Sequence, residues 1–204
     1  ISKEVLVVEM VDHRVTRCTR SSPQPELDLP YLSLPFFDIQ INGAVGISFN
    51  SPSLDLLGIE TVIGIARSHG VGHFFPTLVT ASFDDLAHGF RVLAKAQHES
   101  KMVRESILGY HLEGPYISPE DGPRGAHPLA HTRNPSWNEF RRLQEVAEGG
   151  IRMLTLAPEL EGALGLIEKV SNAGVVVAIG HTAASPLHIR DAIAAGAKTS
   201  THLG

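Results

Sequence analysis

The sequence predicts an α/β fold in which strands and helices alternate and the strands run parallel. Three observations carry that expectation. Short apolar runs with strand alternation recur from Phe36 onward. Between them lie segments with the i, i+3, i+4 apolar spacing of helices. Glycines such as Gly70, Gly174 and Gly196 stand where each helix should stop. Strict β-then-α order implies parallel strands, because parallel neighbours require a crossover connection.

The elements follow in order. Val5–Val8 and Arg14–Cys18 read as short strands, and Ser21-Ser22-Pro23-Gln24-Pro25 as a loop by its Pro/Ser content. Phe36 to Asn42 alternates apolar and polar residues before Gly43, which makes it the first strand of the alternating region. Leu54–His69 is the first helix, Phe74–Val79 the second strand, Asp84–His98 the second helix, and Ile107–Leu112 the third strand. After a long polar loop come a helix at Ser136–Ala147, a strand at Ile151–Leu156, a helix at Leu164–Asn172 and a strand at Val175–Ile179. Pro186–Ala195 is the last helix, with Pro at its permissive first turn, and Lys198–Leu203 opens a sixth strand. Two architectures satisfy this order: an open doubly wound sheet and a closed eight-fold barrel. No Gly-rich phosphate loop follows the first strand, which disfavours a dinucleotide-binding sheet. A complete barrel takes about 250 residues, so 204 residues fit about six of its eight units.

Composition narrows the function. With 43% hydrophobic and 19% charged residues the chain should be globular. Its net charge is -5 and its basic residues are scattered, so neither nucleic acid nor a membrane surface is an expected partner. Apolar stretches such as Val175–Ile179 are too short to span a bilayer. A lone Cys18 rules out an internal disulfide and fits a reducing, cytoplasmic setting. The chain begins at Ile1 and ends at Gly204 within a motif, so it reads as a fragment.

In parallel α/β folds, chemistry collects at the C-terminal ends of the strands. Here those ends carry Gln40 and Asn42, Glu113, His181, and His202. Gln40 and Asn42 are two residues apart and share a strand face. Glu113, His181 and His202 offer one carboxylate and two imidazoles from three strands, a suitable tripod for a divalent cation that keeps one position open. Taken singly, each of these histidines would more often be structural; their shared placement is what argues for a site.

The strings around these residues are similar, in order, to those of the N-acetylglucosamine-6-phosphate deacetylases of the amidohydrolase superfamily: Asp38-Ile39-Gln40-Ile41-Asn42-Gly43, Phe75-Pro76-Thr77-Leu78-Val79-Thr80, His111-Leu112-Glu113-Gly114-Pro115, Gly125-Ala126-His127, Ala157-Pro158-Glu159, Gly180-His181-Thr182 and Thr201-His202-Leu203. The resemblance implies a (β/α)₈ TIM-like barrel, incomplete here, at residues 34–204. Residues 1–33 would supply N-terminal strands of a small β-sandwich. It implies hydrolysis of the N-acetyl amide of N-acetylglucosamine 6-phosphate to glucosamine 6-phosphate and acetate. One divalent metal, Zn or Fe, would be bound by Glu113, His181 and His202. Ala126 and His127 would bind the amino-sugar phosphate. Gln40-x-Asn42 stands where many amidohydrolases carry His-x-His, and amide oxygens, being weaker ligands, do not favour a second tightly held metal. The general-base aspartate is expected beyond Gly204, so no catalytic residue is matched within the chain. The full-length protein is expected to be a homodimer. Two rival readings stand beside this one: an amidohydrolase acting on another amide or cyclic amide, and a catalytically inactive barrel.

Overall fold

In the computed structural model, residues 4–12, 14–22 and 28–202 are described. The chain divides into two compact units, Ile1–Leu34 and Pro35–Gly204. In the first, β1 (Val5–Val11) and β2 (Arg14–Ser21) form an antiparallel pair, with a register shift between Glu9 and Met10. The described residues show this hairpin alone and no sandwich. Arg20 pairs with Glu4 and Arg17 with Glu9 across it, all well exposed, so these pairs contribute little. The expected loop at Pro23–Pro25 lies outside the described residues, as do Leu203 and Gly204.

The second unit is the alternating α/β structure. Its strands are β3 (Phe36–Ile41), β6 (Val71–Val79), β7 (Tyr110–Glu113), β8 (Ile151–Leu156), β9 (Val176–Ile179) and β10 (Thr199–Ser200). They form one sheet in the order β10-β9-β8-β7-β6-β3, every pair parallel. The helices are α1 (Leu56–Ser68), α2 (Phe83–Glu99), α3 (Lys101–Ser106), α4 (Trp137–Val146), α5 (Ala163–Asn172) and α6 (Pro186–Ala195). A small hairpin, β4 (Gly43–Ala44) and β5 (Ile47–Ser48), follows the first barrel-type strand.

Every α-helix of this unit except α5, which starts after Gly162, begins where a side chain caps it. Asp55 accepts from the Gly58 amide at 2.8 Å and Ser82 from the Asp85 amide at 3.1 Å. Ser185 and His188 form a reciprocal capping box at α6, whose first residue is Pro186. Loss of one such cap costs about 1 kcal/mol. Ile59, Val62, Ile63 and Ala66 on α1, and Leu86, Phe90 and Leu93 on α2, turn one face into a core that also holds Phe74, Leu78, Leu112, Leu154 and Val177 from the sheet. Strand β7 is buried along its whole length, as expected of a parallel strand covered on both faces.

The differences from the sequence reading are local. The third strand starts at Tyr110 rather than Ile107, which makes only an isolated bridge to Phe74. The segment between α2 and that strand is not a loop: Ser100 ends α2 and caps α3 by accepting from the Val103 amide. The second strand begins earlier, at Val71.

Candidate metal centre

All six strands point the same way, so their C-terminal ends share one rim. Five spacings of a flat sheet would hold its two edge strands roughly 24 Å apart. Yet Gln40 from β3, one edge, donates its side-chain amide to Glu113 Oε2 at 2.9 Å. His202, just past β10 at the other edge, reaches Glu113 Oε1 at 2.9 Å. Both edges meet on one carboxylate near the middle of the sheet, which requires the sheet to curl into an arc with these side chains on its concave side.

Glu113 is the hub. It is almost fully buried at the end of β7, and His181 Nε2 joins at 3.1 Å on the same Oε1 that His202 touches. Burial alone would push its pKa up, but the hydrogen bonds from His181, His202 and Gln40 outweigh it and hold the carboxyl at about 2. It is therefore an anion at neutral pH. Its charge and hydrogen bond raise the pKa of His181, against a smaller opposing effect of burial. Gly114, next in sequence, has φ +81, and a Cβ there would lie 2.2 Å from Thr80 Oγ1. The turn that leaves Glu113 thus admits only glycine.

His181 and His202 both adopt the left-handed backbone, with φ 51 and 53. Non-glycine residues rarely do so, and such conformations persist where the surroundings over-determine them, often at functional sites. The His181 carbonyl accepts from the Ser118 amide at 2.9 Å, and the Gly180 amide before it donates to Leu156 at 3.1 Å.

His127 comes from the long loop after β7. It is buried, and its Nδ1 lies 2.8 Å from Thr80 Oγ1 at the end of β6. Its Nε2 lies 3.2 Å from His181 Nε2. Burial, then the neighbouring His181, lowers its pKa to about 4, so it is neutral. Two imidazole nitrogens facing each other at that distance need a proton or a cation between them. Glu113, His127 and His181 each present a ligand atom within 4.8 Å of the others. His202 lies outside that trio but reaches the same Glu113 oxygen at 2.9 Å; with Glu113 and His181 it makes up the expected set of one carboxylate and two imidazoles, and His127 stands beside it. Tetrahedral zinc bonds of about 2.0–2.1 Å place ligand atoms about 3.3 Å apart. The Glu113–His202 and Glu113–His181 separations of 2.9 and 3.1 Å are close to that spacing.

The other expected residues fall as follows. Gln40 enters the cluster, whereas Asn42 is exposed past the end of β3, with its carbonyl accepting from the Phe49 amide. Ala126 lies in the loop beside His127 and is exposed. Asp38 accepts from the Gln40 amide at 2.9 Å and shapes the strand end. His111 is fully buried below Glu113, between Thr155 at 2.7 Å and Thr77 at 3.3 Å, and burial lowers its pKa to about 4. It is a neutral packing residue of the sheet's concave face. Sequence reasoning quoted Thr80 as the last residue of the Phe75–Thr80 string but gave it no role at the site.

The comparisons bear on this geometry. The chain is 38% identical over 172 residues to the N-acetylglucosamine-6-phosphate deacetylase of Bos taurus and 37% over 176 residues to that of Homo sapiens, in each case across 82% of this chain and 41% of the relative. It superposes on the crystal structure of N-acetyl-D-glucosamine-6-phosphate deacetylase from Mycobacterium smegmatis with TM-score 0.80 and 34% identity, over 96% of this chain and 50% of that one. Over 82% of its length the chain is therefore similar to N-acetylglucosamine-6-phosphate deacetylases. No family model matches it. The chain spans about two-fifths of the length of the curated deacetylases it matches. A second M. smegmatis structure holds N-acetyl-D-glucosamine-6-phosphate in an aspartate-to-alanine variant of that deacetylase.

Proposed function

We propose that this chain is the metal-binding part of a deacetylase that hydrolyses the N-acetyl amide of N-acetylglucosamine 6-phosphate, releasing acetate and glucosamine 6-phosphate. The observation that carries the reading is the convergence of Gln40, His181 and His202 on the Glu113 carboxylate, in a chain whose relatives bear that name. Glu113, His181 and His202 would hold one Zn²⁺ or Fe²⁺. Such a cation supplies a nucleophilic water at neutral pH and polarises an amide carbonyl. The protein's own groups do the rest. Glu113 brings the charge that makes the centre cationic-selective. Gln40 holds Glu113 in one orientation through its second oxygen. Thr80 holds His127 at the cluster's edge, where with Ala126 it would contact the sugar. Asn42 would line the rim beside them.

The similarity to these deacetylases also supports an eight-stranded barrel as the complete architecture, with β1 and β2 as part of a small sandwich. Phe36, Phe37 and Ile39 on the β3 edge and Leu187 and Ile193 on α6 are exposed, as an arc of a larger closed barrel would leave them. The proton-accepting aspartate would come from a later strand, homodimerisation from the full-length protein, and the setting would be cytoplasmic. No helix among the described residues is long and apolar enough to cross a membrane.

The test is metal analysis and acetate release with the full-length protein. About one equivalent of divalent metal and turnover of N-acetylglucosamine 6-phosphate are expected, and His181→Ala should lose most of both. Two tightly held equivalents, or full occupancy after that substitution, would refute the ligand set. A metal-loaded protein that releases no acetate would refute the substrate.

A further inference from the structure

Glu159 stands just past β8, outside the metal cluster, yet it is committed to the turn that carries His181. Its Oε1 accepts from the Ala183 amide at 2.7 Å, and its Oε2 accepts from the Thr182 hydroxyl in a short hydrogen bond. Thr182 Oγ1 in turn accepts from the Ala184 amide at 2.9 Å. One carboxylate thus organises the three residues that follow His181. The preceding side is fixed by the Gly180 amide on Leu156, and the His181 carbonyl by the Ser118 amide. The residue clamped between has φ 51. An imidazole direction depends on its backbone, and a left-handed conformation is costly for histidine unless its neighbours impose it. Nothing in the local sequence imposes it, since Thr182 and Ala183 are free to extend or turn.

We propose that Glu159 is a positioning residue of the metal centre: by clamping Thr182 and Ala183 it maintains the left-handed turn that aims His181 Nε2 at the Glu113 oxygen. The proposal rests on the reading of Glu113, His181 and His202 as cation ligands. Glu159 acts through the backbone of the ligand-bearing turn, where the more familiar supporting group acts on the ring nitrogen opposite the metal. The clamp joins the loop after β8 to the loop after β9, so it also sets the relative placement of neighbouring strand ends. A carboxylate side chain suits the task, because its two oxygens accept separately from the Thr182 hydroxyl and the Ala183 amide, whereas a glutamine side chain offers one acceptor oxygen.

The experiment is titration of the metal-free full-length protein with Co²⁺, read by its visible absorption, for wild type, Glu159→Ala, Thr182→Val and Thr182→Ser. Metal-free thermal melts are recorded alongside. Loss of supporting groups around metal ligands typically weakens binding ten- to a hundred-fold. Glu159→Ala should weaken Co²⁺ binding by about tenfold or more and alter the absorption band. Thr182→Val should weaken it less, and Thr182→Ser, which keeps the hydroxyl, should bind like wild type. If Glu159→Ala does not fold, the Thr182 pair decides the matter. Wild-type affinity in Glu159→Ala, or equal affinity in Thr182→Val and Thr182→Ser, overturns the proposal while leaving the metal centre intact. A wild-type protein that binds no Co²⁺ overturns the metal reading, and this inference with it.

Discussion

Replacing Arg133 by alanine should destabilise the protein and loosen the loop that carries His127. Arg133 lies at the far end of that loop, where its amide donates to Pro115 at 3.1 Å and so closes the base of the loop. Its guanidinium donates to the carbonyls of Ala81 at 3.0 Å and His131 at 2.7 Å, and its Nε and Nη2 engage the Glu139 carboxylate in a paired arrangement. Hydrogen bonds involving a charged group are worth roughly 1.5–3 kcal/mol, and breaking a fully buried ion pair costs roughly 3–5 kcal/mol. Here the side chains retain 28% and 16% exposure, so water can recover part of the loss. About 2–3 kcal/mol remains, which for a domain of this size is a fall in Tm of roughly 4–12 °C. Thermal unfolding of the purified protein, followed by circular dichroism at fixed ionic strength, reads it directly. Glu139→Gln should cost less than half as much, because the amide still accepts from the guanidinium. A Tm within about 1 °C of wild type for Arg133→Ala would refute the reasoning and leave the loop held by its own backbone turns.

Three further outcomes are expected. His127→Ala should impair turnover of the full-length enzyme with metal content unchanged; lost metal would make His127 a ligand. Metal affinity should fall as pH falls, because a cation must displace any proton on His181, whose pKa is raised, whereas Glu113 at about 2 and His127 at about 4 are already deprotonated between pH 5 and 8. His181 contributes up to about tenfold per pH unit below its pKa, and Co²⁺ titrations showing no change from pH 5 to 8 would contradict this. Residues 1–204 alone, loaded with Zn²⁺, should not deacetylate N-acetylglucosamine 6-phosphate at a useful rate. Glu113 is already bound to three donors, and a missing general base is typically worth about 10²–10⁴-fold. Acetate release within tenfold of the full-length protein would show that the base lies among these residues.

Much of this architecture was legible in the sequence because it depends on periodicity. The strand at Ile151–Leu156 and the helix at Pro186–Ala195 agree with their observed bounds, since the strand lies between Gly149-Gly150 and Ala157-Pro158 and the helix between the capping Ser185 and Gly196. Irregular pieces were not. Helix α3 has six residues, too few to show a face, and shares Ser100 with the helix before it. The start of β6 was hidden by Gly72, a weak strand former that is required because a Cβ there would lie 2.7 Å from Pro35. At the site, Glu113, His181 and His202 stood out as reactive residues at strand ends. The nearness of His127 to His181 did not, because the loop's course is fixed by Thr80, Arg124 and Arg133 through contacts that leave no periodic trace.

The three partners of Glu113 are 73, 68 and 89 residues away in sequence. During synthesis the carboxylate emerges with Gln40 as its sole available partner. The two histidines that offset the cost of burying its charge arrive only with β9 and β10. Non-local closures of this kind are slow, because chain entropy is lost before contact is gained. The same side chains that would grip a cation therefore also act as a checkpoint on the order of assembly: an arc lacking β9 and β10 carries a buried anion without counterpart, and their arrival relieves it.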